Sequence, residues 1–148
     1  MKRISTVVML LSWILVAGCA ETSLRVNAPY APTVNQKFIF DIDNKSAMPD
    51  ETLVMFREEL TDQLIAAQLL TTSTDTTARP LHIVIEMAGA DAISSSVIVK
   101  DAITGAPLAK YQVESHHPAP WGKPRGLIAE HTAKLVSYLI QGGPSAPR

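Results

Sequence analysis

Two kinds of apolar periodicity alternate along this chain, and their order restricts the folds available to it. In residues 37–44, "KFIFDIDN", apolar side chains occupy every second position, which predicts a strand. In residues 50–70 they recur every three or four positions, which predicts an amphipathic helix with one buried face. That face comprises Leu53, Phe56, Leu60, Leu64 and Ala67.

Three more strands and a second helix follow. Alternation predicts strands over residues 81–89, 94–101 and 108–115. Between the last two, "DAITGAP" contains Thr104 and Gly105, a pair suited to a turn position with positive φ. A helix is predicted over residues 127–140, and its apolar face comprises Ile128, Thr132, Leu135, Val136 and Leu139. The order strand, helix, three strands, helix predicts an α+β two-layer sandwich, in which two helices cover one face of a four-stranded, mainly antiparallel sheet.

The first 19 residues, "MKRISTVVMLLSWILVAGC", have the parts of a secretory signal. Lys2 and Arg3 precede a largely apolar run over residues 4–16, and small residues follow it. A membrane-spanning helix needs about 20 apolar residues, and this run is shorter. We therefore expect a cleaved leader rather than a membrane span.

The end of this segment, "VAGC", resembles the lipobox of bacterial lipoproteins. The resemblance implies that the thiol of Cys19 receives a diacylglyceryl group and that a peptidase cuts between Gly18 and Cys19. Two acyl chains on one sulfur are enough for stable anchoring. Ala20 stands where lipoproteins kept in the inner membrane often carry Asp, so the resemblance favours the periplasmic face of the outer membrane. An ordinary signal peptide with an incidental cysteine is the alternative.

We expect four segments: a signal peptide (residues 1–18), a lipidated tether (19–36) that also has room for a short edge strand, a periplasmic α+β domain (37–141) and a disordered tail (142–148). With one cysteine in the whole chain, the domain has no intramolecular disulfide and depends on its apolar core. Loss of Lys2 and Arg3 with the leader leaves 11 of the 13 basic residues against 14 acidic ones. The basic residues are scattered, which argues against nucleic-acid binding.

The sequence "HHPAPW" is the main candidate for chemistry. Adjacent His116 and His117 would need Glu114 or His131 to complete a metal site, but neighbouring strand residues point to opposite faces. We therefore expect a solvated loop and no metal or cofactor. Trp121, in the same Pro- and Gly-rich stretch, either folds over the sheet edge or contacts a partner.

Isolated acidic and histidine residues are the remaining candidates. Asp41 and Asp43 share one face of a strand and are expected at the solvated end of an edge strand, since no third ligand accompanies them. Glu86 is expected on the exposed sheet face, and His131 on the surface flank of the last helix. No GxSxG, P-loop or GxGxxG motif is present in the sequence.

These observations favour a non-enzymatic outer-membrane lipoprotein whose domain binds another envelope component through its open sheet face or a strand edge. The architecture also resembles small periplasmic lipoproteins of unknown function, several of which have a hairpin similar to "DAITGAPL". A second hypothesis is a small-ligand or lipid-binding protein with a cavity lined by Phe40, Phe56, Ile85 and Leu135. A third is a small hydrolase of cell-wall or lipid material, which would require a convergent site around Glu86, His116 or Asp41.

Overall fold

The computed structural model describes residues 21–28, 33, 35–72, 74–117 and 124–141. In the first of these ranges it describes the backbone and one side chain, that of Ser23. The elements are β1 (Glu21–Ala28), β2 (Phe38–Asn44), α1 (Asp50–Ala66), β3 (Arg79–Ala88), β4 (Ala92–Lys100), β5 (Pro107–His116) and α2 (Pro124–Gln141). The predicted α+β fold, with its order β-α-β-β-β-α, is confirmed.

The sheet contains the four predicted strands and a fifth, β1, which comes from the segment expected to form the tether. The strand order is β1-β5-β4-β3-β2. β2 and β3 are parallel because α1 lies between them as a crossover connection, and the other neighbouring pairs are antiparallel. β1 and β2 therefore form the two edges of the sheet.

One face of the sheet carries the core, and both helices cover it. The predicted stripe of α1 packs there, with Phe56, Leu60 and Leu64 fully buried. The predicted face of α2 is buried throughout, including Leu135 and Leu139. The strand residues that face the helices form one continuous cluster with them, and these include Leu81, Ile83, Ile85, Val97, Val99, Tyr111 and Val113.

Helix α1 ends four residues earlier than its apolar periodicity predicts. The amide of Leu69 donates to the carbonyl of Leu64 over 2.8 Å, and that of Gln68 donates to Ile65 over 2.9 Å. Gln68 has φ of 58°, so these two bonds form a Schellman motif that closes the helix. Leu69 then accepts a hydrogen bond from the amide of Phe38 over 2.7 Å, which brings the chain back to the start of β2.

The sandwich has two ends, which we name after the glycines in their turns. At the Gly89 end, the amide of Gly89 donates to the carbonyl of Ala92 over 2.8 Å and closes the β3–β4 turn. At the Gly105 end, Gly105 has the positive φ that the sequence predicts, 69°. There the carboxylate of Asp101 accepts hydrogen bonds from the amides of Ile103 and Thr104, which lowers the pKa of Asp101. Both helices begin at the Gly89 end, where residues of their first turns line one groove together with Gly89.

Candidate functional site

The face of the sheet opposite the helices carries polar side chains that hydrogen bond in pairs across neighbouring strands. Asp41 of β2 lies opposite His82 of β3, and the His82 Nδ1 atom hydrogen bonds to the Asp41 carboxylate. Glu86 accepts a hydrogen bond from Ser96 over 2.5 Å, next to a register shift between Ile85 and Met87. The Asp41–His82 pair spans 41 residues of sequence, so only the parallel strand register reveals it.

The three residues of the hydrolase hypothesis lie on separate parts of this face. Asp41 bonds to His82, whereas Glu86 lies four residues further along β3, about 13 Å at the usual rise per residue. His116 is the last residue of β5, opposite Ala92. The structure therefore gives each of these groups different neighbours and does not bring the three together.

The histidines of "HHPAPW" have different surroundings. His116 is exposed, whereas His117 is half-buried, and its Nε2 atom is buried without a hydrogen-bond partner in the described part of the chain. Glu114, a suggested third ligand, accepts a hydrogen bond from Gln112 over 3.3 Å. Within the described ranges, no three His, Cys, Asp or Glu side chains converge as a metal site would require.

The expectation that His131 lies on the surface is wrong. This residue is fully buried between α2 and the sheet, where Nε2 lies 2.7 Å from Ser95 Oγ and Nδ1 lies 2.9 Å from Ser115 Oγ. The ring of Phe56 lies beside it, with 5.9 Å between the ring centroids. The prediction relied on the position of His131 at the flank of the helix stripe. In the structure, one serine from β4 and one from β5 hydrogen bond to the ring, so the imidazole is buried with both nitrogens paired.

The chemistry of this buried network is that of a neutral imidazole. Burial lowers the pKa of His131 from 6.5 to about 4, since a charged ring in the core would lose its hydration. Ser95 and His131 have the spacing of a nucleophile and its base, but both residues and Ser115 are closed to solvent. The arrangement therefore acts as a polar link that fixes α2 on two strands.

In the part of the chain that the structure describes, the outer edge of β2 is open over its central residues. The carbonyl of Lys37 and the amide of Lys45 bond toward β3, whereas the amide and carbonyl of Phe38 bond outward to Leu69 and Thr71. Successive residues of a strand direct their backbone groups to alternate sides. The backbone groups of Phe40 and Ile42 therefore face outward, and no residue in the described ranges pairs with them.

An apolar groove of about 320 Å³ opens at the Gly89 end, between the starts of the two helices and the β3–β4 turn. None of the described residues that line it is charged: they are Met48, Pro49, Thr52, Ala88, Gly89, Ala90, Ile93, Pro124, Leu127 and Ile128. The groove is distinct from the cavity that the ligand-binding hypothesis requires. Phe56, Ile85 and Leu135 are fully buried in the continuous core, and Phe40 packs against that core.

Several predicted residues lie outside the described ranges. These are Gly18 and Cys19 of the lipobox, Trp121, and the expected tail over residues 142–148. Neither described helix is both long enough and apolar enough to cross a bilayer.

Comparison with known proteins relates this chain to others through its fold alone. No protein-family model matches the sequence, and no curated protein matches it. Among solved structures, the fold is similar to a PelC dodecamer from Paraburkholderia phytofirmans, with a TM-score of 0.59 and 14% identity, over 80% of this chain and 97% of that one. A point variant of the same PelC dodecamer aligns with a TM-score of 0.57 and 15% identity, over the same shares of each chain.

Proposed function

We propose that this protein is a lipid-anchored, non-enzymatic interaction module of the bacterial cell envelope. Cys19 carries the lipid and holds the domain at the periplasmic face of the outer membrane. The domain binds another envelope component through the open edge of β2, whose partner adds a strand beside Phe40 and Ile42.

The open edge of β2 is the observation that carries this proposal. An unpaired strand edge is a template for β-strand addition, and soluble proteins usually blunt or cover such edges. Among the described residues the covering is partial: residues 69–71 protect the first residue, Phe38, and leave Phe40 and Ile42 open. Beside this edge, the half-buried side chains of Phe40 and Ile42 offer an apolar margin on which the partner strand can pack.

Two further observations support a binding role. On the exposed sheet face Asp41 is paired with His82 and Glu86 with Ser96, and the Ser95–His131–Ser115 network is closed to solvent. In addition, the two PelC structures reported above, which have a similar fold, are dodecamers, so this fold is compatible with assembly through protein–protein contacts. A second copy of the chain is therefore one form that the partner can take.

The test uses a substitution that changes one backbone donor. Ile42→Pro removes an outward amide that no described residue of the domain accepts from, so an edge strand tolerates the change, but it blocks addition of a partner strand. Ile42→Ala is the matched control, because it removes similar side-chain packing and keeps the amide.

A photo-crosslinking amino acid at the exposed position Asp41 reports the partner in intact cells, and mass spectrometry identifies it. We expect one envelope component, or a second copy, to crosslink in the parent and in Ile42→Ala but not in Ile42→Pro. Equal crosslinking in the two variants would show that the partner does not bind by strand addition at this edge.

The anchor has a separate test. Cys19→Ser removes the sulfur that receives the lipid, so we expect loss of metabolic acyl labelling and accumulation of a precursor that retains residues 1–18. Normal processing of this variant, or an unmodified thiol in the mature parent protein, would refute the lipoprotein assignment.

A further inference from the structure

The start of the first strand restricts how this domain can sit on a membrane. β1 begins at Glu21, and a single residue, Ala20, separates it from Cys19. Two residues of extended chain span at most about 7 Å. If Cys19 carries the lipid, as proposed above, then the first residue of β1 lies within that reach of the attachment point.

The strand register identifies which other residues share this end of the sheet. Glu21 pairs with His116, the last residue of β5, and His116 pairs with Ala92, the first residue of β4. Neighbouring strands lie about 4.8 Å apart, so Ala92 is about 10 Å from Glu21 across the sheet. Ala92 closes the β3–β4 turn by accepting from Gly89. The anchored end of β1 is therefore at the Gly89 end.

We infer that the Gly89 end of the domain lies against the phospholipid surface, with its apolar groove in contact with lipid, and that the Gly105 end points into the periplasm. The inference rests on the proposed lipid anchor at Cys19, and it adds an orientation and a second membrane contact to it.

The chemistry of the groove fits a lipid contact. Its described lining is uncharged and mostly aliphatic, including Met48, Ala90 and Leu127, so insertion of acyl chains leaves no charged group among these residues without water. Burial of exposed apolar surface against lipid is favourable at about 25 cal/mol per Å². A single lipidated residue leaves the domain free to tilt, whereas a second contact about 10 Å away restricts that motion.

Fluorescent labels at the two ends of the sheet test the orientation. The full lipidated protein is reconstituted in vesicles of phosphatidylethanolamine and phosphatidylglycerol that contain a nitroxide-labelled lipid. An environment-sensitive dye is attached to one new cysteine, Ala90→Cys or Ile103→Cys, because lipidation blocks the thiol of Cys19. β4 has nine residues, so the two ends lie about 30 Å apart.

We expect the dye at Ala90→Cys to lose most of its fluorescence to the nitroxide lipid and to shift its emission to the blue. The dye at Ile103→Cys, a residue 92% exposed at the opposite turn, keeps its intensity and its emission maximum. Asp91→Cys, at an exposed position in the same turn as Ala90, gives a second report if the groove variant fails to fold.

The failures of the inference and of the anchor are distinguishable. Equal quenching at the two ends, or stronger quenching at Ile103→Cys, in protein shown by mass spectrometry to be lipidated, overturns the orientation and leaves the anchor intact. An unmodified Cys19 in the same mass spectrum overturns the anchor itself, and the orientation fails with it.

Discussion

The Nε2 atom of His131 lies 2.7 Å from the Oγ atom of Ser95, in a core where neither residue reaches solvent. The other ring nitrogen lies 2.9 Å from Ser115 Oγ. A neutral imidazole has one donor nitrogen and one acceptor nitrogen, and a hydroxyl serves as either donor or acceptor. Two serines therefore satisfy the ring completely in its neutral form and join α2 to both β4 and β5.

Acid should destabilise the domain through His131. Its pKa is about 4 when folded and 6.5 when exposed, so the unfolded chain binds a proton between these values that the folded chain does not. The free energy of unfolding should therefore fall as the pH drops from about 6.5 to about 4, by about 3 kcal/mol in total.

Urea unfolding measured across this pH range tests the prediction. The control is His131→Gln, which removes the titrating group and should flatten this part of the pH dependence. A free energy of unfolding that is constant from pH 6.5 to 4 in the parent protein would contradict the neutral, buried state of the imidazole.

Removal of either serine partner should destabilise the fold. Ser95→Ala and Ser115→Ala each leave one imidazole nitrogen buried without a partner, at a cost of about 1–3 kcal/mol in the free energy of unfolding. Ser96→Ala is the matched control, because Ser96 is the next residue on β4 and its hydroxyl lies on the exposed sheet face. We expect it to change the stability by less than about 0.5 kcal/mol. If denaturant unfolding gave Ser95→Ala and Ser96→Ala similar losses in the free energy of unfolding, the hydrogen bond to His131 would make no specific contribution to stability.

The core face of α1 should be far more sensitive to truncation than its outer face. Phe56 is fully buried and packs against His131, so Phe56→Ala should lower the free energy of unfolding by about 3–5 kcal/mol. Val54 lies two residues away on the same helix and is 53% exposed, so Val54→Ala should have little effect. Thermal unfolding followed by circular dichroism compares the two variants. Comparable losses of stability in Phe56→Ala and Val54→Ala would mean that α1 does not pack as described.

The two turn glycines should respond differently to alanine. Gly105 has φ of 69°, and a Cβ added there meets no atom within 4 Å. Gly105→Ala should therefore lower the free energy of unfolding only by the strain of a left-handed alanine, about 1 kcal/mol. Gly89 does not have a left-handed φ. A Cβ added there would lie 3.7 Å from the nearest atom, Asp91 Oδ1, which is an ordinary van der Waals contact. Gly89→Ala should therefore leave the unfolding midpoint in urea nearly unchanged, and a greater loss at Gly89 than at Gly105 would contradict the turn geometry.

The local elements of this protein follow from its sequence because local periodicity determines them. Alternation in residues 37–44 and the three-to-four spacing of Phe56, Leu60 and Leu64 depend only on near neighbours along the chain. The turn at Gly105 follows for the same reason, since a positive φ is a property of one residue. These signals predicted the buried faces of both helices.

Tertiary structure decided which elements meet, because partner choice and register depend on residues distant in sequence. The addition of β1 to β5, the parallel pairing of β2 with β3, and the Asp41–His82 contact have no local signature. His131 is the clearest example, because its hydrogen-bond partners Ser95 and Ser115 lie 36 and 16 residues away in the sequence. On the helix alone it is a polar residue at the margin of the apolar stripe, and only the two strands beneath it provide the hydroxyls that allow it to be buried.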